Sequence, residues 1–118
     1  MARVKARYLV DKSALARMPI ASVRQRLAPI LEAGDAASCA IVDLEVLYST
    51  RSAEDHRLTL ARRRLAFESV RLTNEVFDRA IQVQGLLARK GQHRLPIPDL
   101  IVAAAAEIAG LVVLHYDA

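Results

Sequence analysis

Leu95-Pro96-Ile97-Pro98-Asp99-Leu100-Ile101-Val102-Ala103-Ala104-Ala105-Ala106-Glu107-Ile108-Ala109-Gly110-Leu111-Val112-Val113-Leu114-His115-Tyr116-Asp117 reads as a helix followed by a strand, and this stretch decides the fold class. Two prolines open it. From about residue 98 to 109 the chain is apolar nearly all round, so this helix is expected to be buried by a sheet on one side and by another element on the other. Gly110 stops it. Residues 111–116 then form a short apolar run of the kind that lies inside a parallel sheet.

The same alternation extends upstream. Residues 7–11 read as a buried strand, and Ser13 follows as the cap of a short helix over about 14–18 that Pro19 ends. A second helix is expected from about 22 to 33, with Val23, Leu27, Ile30 and Leu31 on one face and Gly34 at its end. Residues 36–41 form a second strand, and Val42 to about Arg51 a helix. Ser52 caps a helix over about 53–67. Its narrow apolar stripe (Leu58, Ala61, Leu65) implies that it stands partly clear of the core. A third strand over 69–72 precedes a long helix from Thr73 to about Lys90, and the helix at 98–109 and the strand at 111–116 complete the order. Strands alternating with helices predict an α/β fold with a parallel sheet covered on both faces.

Four acids punctuate this pattern. Asp11 closes the first strand, Glu45 lies in the helix after the second, Asp99 begins the long apolar helix, and Asp117 closes the last strand. In an open parallel sheet the carboxyl ends of strands and the adjoining helix starts share one edge, where ligands bind. The four carboxylates are therefore expected to be neighbours. Crowded carboxylates repel unless protons or a cation compensate, and a hard divalent ion serving phosphoryl chemistry is the usual partner. Each acid also has a plainer reading: Asp99 as a helix cap, Asp117 as a turn former, Glu45 as a solvated helix residue with Asp43 as its competitor. Asp11 is the hardest to explain that way, because burying an unpaired carboxylate is costly.

Composition narrows the class. The chain has 118 residues, 53% of them hydrophobic, with 4% aromatic and no Trp, so one domain with an aliphatic core is expected. Its net charge is +4, its pI about 9.7, and Arg outnumbers Lys 14 to 3. Six arginines between 51 and 71 offer a surface for a polyanion. A single cysteine, Cys39, excludes an internal disulfide and fits a buried strand position. Three histidines without cysteine partners give no zinc pattern. The apolar segment behind the basic start ends at Asp11, too short for a secretory signal, and no run is long enough to span a bilayer, so a cytoplasmic protein is expected.

Together these segments resemble a PIN domain, and within that family a VapC-type toxin of a bacterial toxin–antitoxin pair. Tyr8-Leu9-Val10-Asp11-Lys12-Ser13-Ala14-Leu15 resembles the family's opening strand, its first metal-binding Asp and the hydroxyl residue two positions later. Leu44-Glu45-Val46-Leu47-Tyr48 resembles its Glu-bearing helix, and Leu95 to Ala104 is similar to the helix that begins with its third acid. Val113-Leu114-His115-Tyr116-Asp117 is similar to the strand presenting the last acid. The resemblance implies a three-layer α/β/α sandwich around a central parallel sheet of four to five short strands, spanning 1–118 as one domain.

It further implies a metal-dependent endoribonuclease toxin. Asp11 and Asp99 would be ligands of Mg²⁺ (Mn²⁺ is an alternative), Glu45 and Asp117 would complete the acidic set, and Ser13 would support it. The implied partners are RNA, a cognate VapB-type antitoxin that blocks the acidic pocket, and a second copy in a homodimer or a toxin–antitoxin hetero-oligomer. A groove between the stripes on 53–67 and 73–90 is the expected seat for an amphipathic antitoxin helix. Two departures from the family pattern stand out. His115 occupies a place where Thr is frequent, and the segment after the last acid, with its Asp-Phe pair and edge strand, is absent. A continuation of the natural chain, or a tail that is not ordered, is therefore expected.

One alternative remains at this stage, and two others lack the signatures they would need. A catalytically silent PIN-like module would bind RNA or protein without cutting. A phosphoacceptor receiver domain would need an acidic pair near the first strand and a late Lys. A haloacid dehalogenase-type phosphatase would need Asp-x-Asp where Asp11-Lys12-Ser13 stands.

Overall fold

The computed structural model describes residues 4–116. The chain alternates strands and helices: β1 (Tyr8–Val10), α1 (Lys12–Leu15), α2 (Ala21–Glu32), β2 (Ala36–Cys39), α3 (Ala40–Leu47), α4 (Ala53–Ala66), β3 (Glu68–Val70), α5 (Asn74–Ala88), α6 (Ile97–Ala109) and β4 (Val112–Leu114). The four strands form one parallel sheet in the order β3-β2-β1-β4. The sheet grows outward from β1 through β2 to β3. The chain then crosses back to place β4 on the other side of β1. That reversal makes the β1/β4 boundary the topological switch point, the place where open α/β sheets form a crevice.

Alternation along the strands separates two cores. Leu9, Ala37 and Cys39 face one layer, where Val42 of α3, Val76 and Ala80 of α5 and most of α6 pack. Val10 and Ala36 face the other, against Ala14 of α1 and Leu27 of α2, with Phe67 and Leu114 at its margin. The expected α/β/α sandwich with a four-stranded parallel sheet is thus observed.

α6 earns its burial from composition. Leu100, Ile101, Val102, Ala104, Ala105 and Ala106 are all buried, and the small alanines let β1, α3 and α5 approach closely. Pro98 sits in the first turn, where its missing N–H would have no partner anyway. Gly110 ends the helix in the left-handed region at φ 73°, which glycine adopts without strain. Among the described residues no helix is long and apolar enough to cross a membrane.

Several boundaries differ from those expected. The first short helix begins at Lys12, directly behind Asp11, because the Asp11 carboxylate accepts from the Ser13 backbone N–H and caps it. Asp11 thereby takes the capping role expected of Ser13. β2 stops at Cys39, and α3 starts at Ala40, two residues early. α4 also differs in what it buries. Its inward residue is Arg63, while Leu65 is 90% exposed. Packing follows suit: α4 lies against α3, and α5 against α6.

Candidate active site

Asp11 leaves β1 at the switch point. Its backbone N–H donates to the Leu114 carbonyl at 2.9 Å, continuing the β1/β4 ladder by one residue. Its Oδ2 accepts from the Ser13 hydroxyl at 2.8 Å and from the Ser13 N–H at 3.3 Å. Ser13 Oγ in turn accepts from the Tyr116 backbone N–H at 3.0 Å. One hydroxyl thus orients the Asp11 carboxylate and fastens the chain leaving β4. The aromatic ring of Tyr116 carries the Arg17 guanidinium 5.2 Å from its centre.

Asp99 is the third residue of α6, held there by its N–H to the Pro96 carbonyl at 3.1 Å. A carboxylate in the first turn is favoured by the helix dipole. Asp11, Ser13 and Asp99 line one open cavity of about 570 Å³, with Ala103, His115 and Tyr116 on its other walls. Glu45 reaches the same region from α3. Partial burial pushes its carboxyl above the ordinary Glu value. The charge of Asp11 pushes it the same way, Lys12 opposes, and Asp99 adds to the rise. Three of the four predicted acids are therefore brought together from strand and helix ends in distant parts of the chain. Asp117 lies outside the described residues.

Asp43, the competitor of Glu45, has a different occupation. Its Oδ1 accepts from Arg63 Nε at 2.9 Å and from the Ser38 hydroxyl at 2.9 Å. Arg63 Nη2 donates to Ser38 Oγ at 2.8 Å, and the guanidinium lies 4.8 Å from the Phe67 ring centre. Two positions apart on a helix, Asp43 and Glu45 point in different directions. Asp43 ties α3 to β2 and α4, and Glu45 is left for the acidic pocket. This network was hidden in the sequence, where Arg63 stands in a run of three arginines that reads as a solvated face. Cys39 is fully buried at the end of β2, and burial pushes its thiol up, away from the reactive thiolate.

The donors of the pocket are hard oxygens, the set that suits Mg²⁺ or Mn²⁺ rather than zinc or copper. Among the described residues no three acid, imidazole or thiol groups converge on a single point that would ligate an ion by themselves. The carboxylates of Asp11 and Asp99 suit such an ion in kind.

The arrangement has counterparts. The family model of the PIN domain matches residues 8–118, and the chain belongs to the PIN-domain family. Within that family it falls among the VapC proteins. It is 50% identical over 112 residues to Ribonuclease VapC21 of Mycobacterium tuberculosis, covering 94% of this chain and 81% of the relative. It is 45% identical over 113 residues to Ribonuclease VapC51 of the same organism, covering 95% and 81%. The fold is shared with the crystal structure of VapBC2 from Rickettsia felis bound to a promoter DNA fragment, at TM-score 0.70 and 16% identity over 93% of this chain and 98% of that one. It is shared as well with DNA-bound VapBC from Salmonella typhimurium, at TM-score 0.70 and 19% identity over 92% and 84%.

Proposed function

We infer that this protein is a metal-dependent endoribonuclease, the toxin of a toxin–antitoxin pair, which hydrolyses RNA phosphodiester bonds in the pocket between β1, β4 and α6. The observation that carries the reading is the meeting of Asp11 and Asp99 in one cavity with Glu45 in electrostatic range. The names of the M. tuberculosis relatives, ribonucleases both, support the chemistry.

Asp11 and Asp99 would hold the ion, with Glu45 and Asp117 completing the acidic set. When bound, Mg²⁺ supplies an acidified water and stabilises charge on the phosphate. The chain's own residues do the rest. Ser13 fixes the Asp11 carboxylate and keeps one of its oxygens committed, which leaves the other to face the cavity. α6 holds Asp99 on a rigid, buried helix, so its position does not depend on a loop. Partial burial raises the Glu45 carboxyl most, and the charges of Asp11 and Asp99 add to the rise, which a bound cation would offset.

The partner of such a toxin is a VapB-type antitoxin. α3 and α4 pack together and leave Leu44, Tyr48, Leu58 and Leu65 in water, a surface suited to an amphipathic segment. The solved VapBC neighbours, toxin–antitoxin pairs by name, support that assembly.

The test is cleavage of a mixed RNA pool containing tRNA by the purified protein, with Mg²⁺, with EDTA, and with Asp11→Asn or Asp99→Asn. Cutting that requires both the metal and the carboxylates is the expected result. Absence of cutting by the folded protein in any divalent metal would replace this reading with that of a silent binding module.

A further inference from the structure

A second concavity of about 560 Å³ runs along the edge strand β3, from Arg64 in the last turn of α4 to Arg71 and Thr73 beyond the carboxyl end of β3. Its charged walls are Asp43, Glu68, Arg63, Arg64 and Arg71. Both carboxylates are already engaged. Asp43 holds Arg63 and Ser38. Glu68 accepts the backbone N–H of Lys5 at 2.9 Å and that of Ala6 at 2.7 Å, clasping the segment that leads into β1. Arg63 is buried and spent on Asp43, Ser38 and Phe67. Arg64 and Arg71 are left. Both are exposed, and among the described residues neither has a hydrogen-bond or ion-pair partner. Beside them Thr73 opens α5, and its hydroxyl makes no cap to the helix.

The strand register sets the distance to the acids. Leu9 pairs with Ala37, and Ala37 with Glu68, so Asp11 stands level with Cys39 and Val70. Arg71 is one residue past that level and two strands across. Strands lie about 4.8 Å apart and rise about 3.3 Å per residue, which separates the two backbones by roughly 10 Å. An extended RNA strand crosses that gap within a few nucleotides.

We propose that Arg64 and Arg71 form a phosphate subsite that holds the substrate RNA to one side of the acidic pocket. The proposal rests on the ribonuclease reading and names where its substrate lies. Two partnerless guanidiniums beside a free hydroxyl suit a phosphate. Arg71 stands on the edge that carries Asp11, and Arg64 extends the same cavity away from it, so one polyanionic strand can meet both sites at once. The excess of three guanidiniums over two committed carboxylates gives the cavity the sign that draws such a strand in.

The experiment measures binding of a fluorescent single-stranded RNA pool by anisotropy across a salt series, in EDTA and in an Asp99→Asn background so that nothing is cut. Arg64→Gln/Arg71→Gln is compared with Arg62→Gln/Lys90→Gln, which removes the same charge outside the cavity. Each lost phosphate contact reduces the slope of log K against log salt by about 0.7. The first pair is expected to lose about 1.4 in slope, which is about 25-fold in affinity at 0.1 M salt. The second pair is expected to lose less than half as much. In the active protein the first pair raises KM for RNA and leaves kcat within about twofold.

Equal losses in both pairs would reduce the effect to general charge and overturn the subsite. An unchanged slope for Arg64→Gln/Arg71→Gln would also overturn it, leaving those arginines for an acidic segment of a protein partner. Cleavage without any slope change sinks the subsite alone. The expected slope change in a protein that cuts no RNA keeps the subsite and sinks the ribonuclease reading.

Discussion

Removing Asp43 should destabilise the protein more than removing Arg63, and removing both should cost less than removing Asp43 alone. The side chain of Arg63 is 8% exposed and that of Asp43 is 29% exposed. Asp43→Ala leaves a sealed guanidinium with Ser38 Oγ as its remaining acceptor. Stranding a buried charge costs about 3–5 kcal/mol, and the retained Ser38 bond and Phe67 contact place this case near the lower end, about 3 kcal/mol. Arg63→Met leaves the opposite charge, but nearly a third of Asp43 already faces water and the Ser38 hydroxyl still donates to it. Its cost falls to about 1.5 kcal/mol. In Arg63→Met/Asp43→Ala no uncompensated charge remains, so the double variant lands about 1 kcal/mol above Asp43→Ala in stability. For a chain of this size the three values correspond to Tm losses of about 12, 6 and 8 °C. Urea unfolding followed by far-UV circular dichroism gives the free energies directly. Additive single effects, or a larger loss for Arg63→Met than for Asp43→Ala, would refute the idea that asymmetric burial governs this pair.

Other outcomes follow from single contacts. Ser13→Ala removes the hydroxyl between Asp11 and the Tyr116 N–H, and is expected to lower kcat about tenfold with about 1–2 kcal/mol lost in urea unfolding. Gly110→Ala places a Cβ in open space but at φ 73°, so its cost is conformational alone, about 1 kcal/mol, read as a lowered urea midpoint. Glu45 has a raised carboxyl, so between its unfolded and folded values the native state binds more protons. Its contribution therefore favours the fold at acid pH and is lost as pH rises above 4.5. In EDTA, Glu45→Gln should flatten that fall and raise Tm at pH 7, and added Mg²⁺ should stabilise the unmodified protein more than the variant.

Much of this architecture was legible because its signals are local. Gly34 and Gly110 end helices, the prolines at 96 and 98 begin one, and the apolar run from Leu111 marks a strand, although β4 is an edge strand with Val112 59% exposed rather than the buried one expected. The acids could be placed at one sheet edge because a parallel sheet puts strand ends there whatever the loops do. What stayed hidden was non-local. Nothing near Arg63 distinguishes it from Arg62 or Arg64. Its burial depends on Ser38 and Asp43, 25 and 20 positions away. The Tyr116 N–H finds Ser13 across the β1/β4 pairing, which no periodicity encodes. The helix pairings stayed hidden for the same reason: a stripe on a helix shows that something packs there, and only the tertiary arrangement, in which α4 meets α3 and α5 meets α6, shows what.

The pairing of β1 with β4 also bears on how the chain is made. Ser13 and Tyr116 are 103 positions apart, so the hydrogen bond that completes the Asp11 arrangement closes a very long loop. Contacts this distant in sequence form late, because the intervening loop entropy must first be overcome. On a ribosome the first strand emerges long before its neighbour and waits without one edge of its pocket. A cell translating this protein is thus spared a nuclease growing at the mouth of its own ribosome. The acids of β1 and α6, Asp11 and Asp99, meet only once the chain has been made at least as far as α6.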